Sequence, residues 1–129
     1  MAEFIKYNIP VAIPFGDNNR YDLIADFNGK LNRIQIKYCN QQTENNSIIC
    51  PCSSSTNHTT NKHYTTYVND VDYFVFYIVA WNKLLLVPIE KIGNRKTITF
   101  RLTENGLKTV SNANYAEDYF FENTLGPLV

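Results

Sequence analysis

The sequence predicts a mixed α/β (α+β) domain, built on a central β-sheet that is flanked by helices. Two nearly continuous apolar stretches, residues 71–79 and 83–89, indicate strands that are covered on both faces, as in an α/β sandwich. An Asn-Gly pair at residues 28–29 indicates a β-hairpin earlier in the chain. The length of 129 residues suits one hydrophobic core, so we expect a single domain over residues 1–129.

The first elements of the chain are predicted to be short. Residues 2–8 are a helix candidate that Pro10 ends, because proline interrupts helical hydrogen bonding. Glu3 then has the position of an ordinary solvated acid in a first helical turn. Residues 11–15 are a strand candidate, and the polar residues 16–19 predict a turn before the hairpin.

The hairpin turn sets the register of its two strands. The Asn-Gly pair at residues 28–29 tolerates the positive φ angles that both central positions of a type I′ turn require. Phe27 then pairs with Lys30. The same register, carried back without a bulge, places Asp22 opposite Gln35.

One face of this hairpin is predicted to be polar and the other apolar. Successive side chains of a strand point to opposite faces, so Lys37 shares the face of Gln35, and directly opposed residues have Cβ atoms about 4.5–5.5 Å apart. The polar face therefore gathers the carboxylate of Asp22, an amide and an amine. The other face is predicted to join the core and holds Tyr21, Leu23, Ala25, Phe27, Ile34 and Ile36.

Further strands are predicted after the hairpin. Residues 47–52 and 97–102 are strand candidates with alternating or apolar character. Asp70 and Asp72 precede the first apolar strand, where aspartate commonly serves turn structure. The two apolar strands are expected at the centre of the sheet, with four inward side chains buried: Phe74, Phe76, Leu85 and Val87.

The segments between and after these strands are predicted to be less regular. Residues 53–67, rich in Ser and Thr, are predicted to be a loop, either a solvated connection or a segment whose hydroxyl groups contact phosphates and whose tyrosines stack on bases or sugars. Residues 104–114 show no periodic face, and residues 115–122 suit a short helix or an edge segment. Gly126-Pro127 predicts a frayed end.

Composition and targeting signals exclude several classes of protein. The chain has neither a signal-peptide pattern at its start nor an apolar stretch of about 18–20 residues, so we expect a cytoplasmic protein without a membrane span. The formal net charge is +0, which counts mildly against nucleic-acid binding. The odd number of cysteines, 3, favours reduced thiols over a disulfide framework.

A zinc site is not expected from the cysteine and histidine residues. Cys50 and Cys52, together with His58 and His63, are the candidate ligands. A single residue separates these cysteines, whereas structural zinc sites usually place about two to four residues between them.

Asp22 followed by Gln35-Ile36-Lys37 resembles the signature of the PD-(D/E)XK nucleases in its QxK form. The likeness is to the branch that includes group I intron homing enzymes, and it covers nearly the whole chain. Its further landmarks, in the order of the family, are residues 14–18, 20–23, 52–53, 70–74, 86–89 and 116–119. The resemblance implies a restriction-endonuclease-like PD-(D/E)XK core, with a mixed central β-sheet flanked by helices.

The resemblance also implies a metal-dependent DNA endonuclease that hydrolyses phosphodiester bonds with Mg²⁺ or Mn²⁺. The metal ligands would be Asp22, Gln35 and the backbone carbonyl of Ile36. Lys37 would orient or help to deprotonate the attacking water, so that Asp22, Gln35 and Lys37 are the catalytic set. From the residues alone, an Asp beside a Lys on an exposed hairpin is equally a surface ion pair worth up to about 1 kcal/mol.

The N-terminal helix departs from the pattern of the family. Family members carry a longer helix whose Glu points at the metal, and counting back from Asp22 places that Glu before Met1. Three interpretations follow: the first turns of the helix are missing from this sequence, Glu3 substitutes as a metal ligand, or the site works without that carboxylate.

The implied partners are double-stranded DNA and further copies of the chain. One active site cuts one strand, and family members cut duplexes by pairing subunits, so a homo-oligomer, a dimer or a tetramer, is expected. A second hypothesis is a degenerate module that binds nucleic acid without cutting, because Gln35 replaces an acid and Asp22 and Lys37 cancel in charge. A third is a structural or interaction domain, which the neutral net charge favours.

Overall fold

Two β-sheets and a separate hairpin form most of the fold, which a computed structural model describes for residues 2–16, 19–43, 46–58 and 61–128. The strands are β1 (Val11–Ala12), β2 (Leu23–Phe27), β3 (Lys30–Cys39), β4 (Gln41–Thr43), β5 (Ser47–Pro51), β6 (Ser53–His58), β7 (Asn61–Thr66), β8 (Tyr73–Ile78), β9 (Lys83–Pro88) and β10 (Thr97–Arg101). The α-helices are α1 (Ala2–Lys6), α2 (Ile89–Ile92) and α3 (Phe121–Leu128), and 3-10 helices cover Val79–Trp81 and Ala116–Tyr119. Within the described ranges, no helix is both long enough and apolar enough to cross a membrane.

The larger sheet is mixed, as predicted. Its five strands lie in the order β1-β2-β3-β8-β9, and the β3–β8 pair is parallel while its other pairs are antiparallel. The apolar strand β8 lies inside the sheet, whereas β9, also predicted as central, forms the last strand of the sheet. Burial of β9 comes from packing on both faces, and the four predicted core residues are fully buried at 0% exposure: Phe74, Phe76, Leu85 and Val87.

A hydrophobic core covers each face of the larger sheet. On one face the second sheet, in the order β10-β5-β4, contributes to what we term the β-side core, whose large members include Ile48, Phe74, Phe76, Leu85, Val87 and Phe100. On the other face helices α1 and α3 contribute to the α-side core, which includes Phe4, Leu23, Ala25, Phe27, Ile34, Phe121 and Leu125. The strands of the larger sheet are therefore covered on both sides, which explains their nearly continuous apolar sequences.

The hairpin register is confirmed over the whole of β2. The pairs run from Phe27 with Lys30 to Leu23 with Ile34. The turn residues have the expected left-handed backbone, with φ of 54° at Asn28 and 89° at Gly29. β3 then outruns β2, because it continues to Cys39 in its pairing with β8.

Three local predictions were wrong, and one strand was not predicted. The strand candidate at residues 11–15 ends at Ala12, because Pro14 lacks the N–H that a ladder needs. The loop predicted at residues 53–67 contains the hairpin β6–β7 with six paired positions, since its Thr and Tyr residues favour strands. An additional strand, β4, pairs with β5. Helix α3 extends through the predicted frayed end, because Phe121 and Leu125 pack in the α-side core.

The structure describes the side chains of only some of the candidate zinc ligands. All three cysteines are free and buried. Burial is the main cause that raises the pKa of Cys52 to about 12, so this thiol stays neutral at physiological pH. The side chains of His58 and His63 lie outside the described residues.

Candidate active site

The predicted site lies where β2 ends and β3 continues without it. Leu23, opposite Ile34, is the last residue of β2 that pairs with β3. The backbone of β3 beyond Ile34 must therefore find other hydrogen-bond partners on that side. Asp22 supplies one of them, because its Oδ2 accepts the backbone N–H of Ile36 at 2.8 Å.

The pairing stops at Leu23 and does not extend to Asp22 and Gln35 as predicted. The backbone N–H of Asp22 donates to the carbonyl of Ile34 at 2.8 Å, although Ile34 already pairs with Leu23. Two consecutive residues thus oppose one, which is the arrangement of a β-bulge. The bulge shifts the alternation of side chains, so Tyr21, predicted to share the face of Leu23, packs against the β-side core.

Gln35 and Lys37 share one face of β3, as the strand period predicts. They pair with Phe74 and Phe76 of β8, both members of the β-side core. The side-chain amide of Gln35 donates from Nε2 to the carbonyl oxygen of Ile36 at 3.4 Å. The amide and the backbone carbonyl that the sequence suggested as metal ligands are therefore adjacent.

Lys37 rests on an aromatic ring that the sequence did not single out. Its Nζ lies 5.2 Å from the ring centroid of Tyr67 and 3.5 Å from the Tyr67 hydroxyl oxygen. The same ring lies 4.1 Å from the guanidinium carbon of Arg20 and packs edge-on against Phe74, with centroids 5.4 Å apart. Tyr67 is buried and thus offers both cations a fixed support.

The sequence contained no spacing signal for Tyr67. It lies 30 positions from Lys37 and directly follows β7, inside the segment predicted as a loop. Only the parallel pairing of β3 with β8 brings the segment before β8 next to Lys37.

Glu3 lies on the α side of the site. Its carboxylate pairs with Lys6 at 3.6 Å within α1. Glu3 also borders a cavity of about 250 Å³ together with Ile36 and Tyr38. Across the described parts of the chain, no group of three or more His, Cys, Asp or Glu side chains could hold a metal ion.

Asp70 and Asp72 serve the structure, as their position before a strand predicted. Asp70 pairs with Arg20 at 3.7 Å. Oδ2 of Asp72 accepts the backbone N–H of Arg33 at 2.7 Å and its Nε at 3.2 Å. Burial acts to raise the pKa of Asp72, but the hydrogen bonds and charge of Arg33 outweigh it, so the pKa is lowered.

Comparisons with known proteins show a family and a fold for this chain. A family model described as PD-(D/E)XK endonuclease matches residues 1–122. No curated protein matches the chain. Among solved structures, the bacterial homing endonuclease I-Ssp6803I is similar, with 20% sequence identity, a TM-score of 0.73, and coverage of 94% of this chain and 80% of that chain. The likeness confirms the predicted restriction-endonuclease-like fold.

Proposed function

This chain belongs to the PD-(D/E)XK endonuclease family, and on that premise we propose that it is a metal-dependent DNA endonuclease that hydrolyses phosphodiester bonds. The observation that carries the proposal is the carboxylate of Asp22. It is exposed, and its Oδ2 is held by the neutral N–H of Ile36. It forms no ion pair with any described residue. A fixed carboxylate without a counter-ion is suited to a cation ligand.

The donor atoms around Asp22 suit a hard divalent cation such as Mg²⁺ or Mn²⁺. Asp22 offers carboxylate oxygens, and Ile36 offers a backbone carbonyl beside the amide of Gln35. Turning that amide over would present Oε1 instead of Nε2 on the side of the Ile36 carbonyl. When bound, such a cation neutralises phosphoryl charge and lowers the pKa of a water molecule.

The side chains of the site have separate roles in the proposal. Asp22 would hold the cation, and the Ile36 N–H fixes the orientation of its carboxylate. Lys37 donates hydrogen bonds to the attacking water or to the charge that develops on the phosphoryl oxygens. Tyr67 is a positioning residue, because its ring holds the ammonium group of Lys37.

The proposed substrate is double-stranded DNA, and the proposed active form is a homo-oligomer, a dimer or a tetramer. One Asp22 site can cut one strand, so a double-strand break needs two copies of the chain. Sedimentation with and without duplex DNA tests this part. A chain that stays monomeric in both conditions and yet breaks both strands together would contradict it.

A second candidate function is a degenerate module that binds DNA without cutting it. Gln35 stands where the commoner motif has an acid, so the charges of Asp22 and Lys37 cancel and weaken the attraction for a cation. The third function, a structural or interaction domain, predicts neither DNA binding nor cleavage.

A plasmid-nicking assay with a parallel gel shift separates these functions. Cleavage is measured with Mg²⁺, Mn²⁺, Ca²⁺ or a chelator, and DNA binding is measured in Ca²⁺. Lys37→Ala, purified in parallel, controls for contaminating nuclease, since it should bind DNA but lose cutting. Metal-dependent nicking by wild type alone supports the endonuclease. Binding without nicking under any cation supports the degenerate module, and the absence of both supports the interaction domain.

A further inference from the structure

A polar groove lies along β10, at the edge of the second sheet. Its volume is about 330 Å³, and two arginines line it together with hydroxyl and amide side chains: Arg95, Arg101, Thr97, Thr99, Asn112 and Asn114. No acidic residue is among the described residues that line it. The groove is therefore locally basic, although the chain as a whole has a formal net charge of +0.

The strand period places the groove residues outside the core. Ile98 and Phe100 of β10 are buried in the β-side core, so the alternate residues of the strand face outward. Of these, Thr97 and Thr99 are exposed. The outer face of β10 thus presents hydroxyl groups that are free of any role in core packing.

The opposite wall of the groove is fixed to β10 by hydrogen bonds. The backbone N–H of Arg101 donates to the carbonyl of Asn114 at 3.0 Å. The side-chain amide of Asn114 donates to the carbonyl of Thr99 at 3.3 Å. These bonds hold residues 112–114 beside the strand, so the groove is preformed.

Hydrogen bonds hold Arg95 in place, and an ion pair holds Arg101. Nη1 of Arg95 donates to the carbonyls of Lys91 and Ile92, at 2.9 Å and 3.1 Å, which positions the guanidinium without neutralising it. Nη2 of Arg101 lies 3.3 Å from Glu104, whose side chain is 62% exposed. The Arg101 side chain is itself 16% exposed, so an incoming anion has to compete with the Glu104 carboxylate for this guanidinium.

The chemistry of this groove selects a phosphate diester. Guanidinium groups bind phosphate oxygens with paired hydrogen bonds, and Thr and Asn side chains are common partners of the nucleic-acid backbone. No aromatic side chain is among the described lining residues, so the groove has no surface on which a base would stack. The backbone of a nucleic acid fits the groove, and a nucleobase does not.

We infer that this groove binds phosphodiester groups of the DNA backbone at a distance from the bond that the Asp22 site cuts. The inference rests on the proposed function, since DNA is the substrate in both. It assigns the contact to the second sheet, whereas Gln35 and Lys37 lie on β3 of the larger sheet and Asp22 directly precedes β2. The contact would position the duplex without reading its sequence.

The first test compares Thr99→Glu with its uncharged match Thr99→Gln. The probe is a labelled duplex oligonucleotide in Ca²⁺, titrated over a range of salt concentrations by fluorescence anisotropy. A carboxylate in the groove repels phosphate, so Thr99→Glu should weaken binding about tenfold at low salt and reduce the slope of log K against log salt by about 1. Thr99→Gln should bind within about twofold of wild type, because the position is exposed and the charge is unchanged.

The second test compares Arg95→Gln with Lys83→Gln, which removes one positive charge from β9 on the other sheet. Arg95→Gln should weaken binding about three- to tenfold with a smaller salt slope, and Lys83→Gln should not. If the two Thr99 variants bind DNA equally, or if Arg95→Gln and Lys83→Gln weaken binding equally, the groove does not bind the DNA backbone. If Thr99→Glu melts below wild type, the Arg95 comparison decides.

These outcomes separate the groove from the proposed function. Wild type that cuts DNA while the groove variants bind normally refutes the groove alone. Wild type that neither binds nor cuts DNA refutes the proposed function, and the groove contact falls with it.

Discussion

Two aspartates bond to the backbone of β3 from its two sides, and they differ in charge environment. Asp22, just before β2, accepts the N–H of Ile36 at 2.8 Å. Asp72, just before β8, accepts the N–H of Arg33 at 2.7 Å. Asp72 also pairs with the guanidinium of Arg33, whereas Asp22 forms no ion pair with any residue that the structure describes.

The comparison shows what separates a structural carboxylate from a candidate ligand. Both aspartates cap an N–H of the same strand, so position before a strand and hydrogen-bond geometry do not distinguish them. Arg33 engages both oxygens of Asp72, with Nη2 3.5 Å from Oδ1. Lys37, the cation that the sequence predicts beside Asp22 on the hairpin, is instead held on the ring of Tyr67. The charge of Asp22 is thereby left available.

The largest expected difference between the two aspartates is in catalysis. Asp22→Asn keeps an oxygen for the Ile36 N–H but removes the charge, so cleavage should fall about a hundredfold or more while DNA binding persists. Asp72→Asn should leave the cleavage rate per folded molecule within about twofold of wild type, because its carboxylate is already neutralised by Arg33. Single-turnover cleavage and anisotropy measure both. Equal losses of cleavage in the two variants would erase the distinction.

Stability should show the reverse order. Asp72→Asn weakens the partly buried bonds from Arg33 and should lower the free energy of unfolding by about 1–2 kcal/mol at pH 7, while Asp22→Asn changes it by less than about 0.5 kcal/mol. Urea denaturation measures the two values. A larger loss of stability in Asp22→Asn than in Asp72→Asn would show that the hydrogen bond from Ile36 to Asp22, rather than the pair of Asp72 with Arg33, stabilises β3 more.

The pH dependence of stability tests whether the charge of Asp72 contributes to the fold. The pKa of Asp72 is lowered in the folded state, so its stabilising contribution is complete above the unfolded value of about 3.9 and is lost as pH falls through the folded value. Wild type and Asp72→Asn should therefore converge in stability in acid. A stability gap that stays constant from neutral pH into acid would show that the charge of Asp72 contributes nothing.

The sequence predicted which side chains share a face of β3 better than it predicted the backbone geometry at Asp22. The Asn28-Gly29 turn and the period of two suffice to place Gln35 and Lys37 on one face, because both are local rules of strands. The bulge at Asp22 escaped prediction, since it depends on where β2 stops, and that is decided by the bond from Ile36 to the carboxylate. Tyr67 escaped it as well, because contacts across a parallel strand pair leave no local pattern.

Gln35→Glu should increase the affinity of the Asp22 site for Mg²⁺ and so increase its difference from Asp72, which is paired with Arg33. It restores the acid of the commoner motif beside Asp22, so Mg²⁺ affinity should rise about tenfold, with little change in stability. Calorimetric titration with Mg²⁺ measures the affinity, and the matched change Gln42→Glu, on exposed β4, controls for added charge alone. Equal affinities in the two variants would show that Gln35 and Asp22 do not share a cation.

The smallest expected effect comes from Tyr67→Phe. The 3.5 Å contact between Nζ of Lys37 and the hydroxyl oxygen is at the long limit of a hydrogen bond, and the ring that supports the ammonium group remains. Cleavage should therefore fall by less than about threefold, whereas Tyr67→Leu, which removes the ring, should lower it by more than about threefold.

Without the ring, Lys37 is free to approach Asp22 and to neutralise its charge, as Arg33 neutralises that of Asp72. Cleavage and Mg²⁺ affinity measured together test this reasoning, because release of Lys37 should weaken both. If Tyr67→Leu retains the cleavage rate and Mg²⁺ affinity of Tyr67→Phe, the ring does not keep the two charges apart.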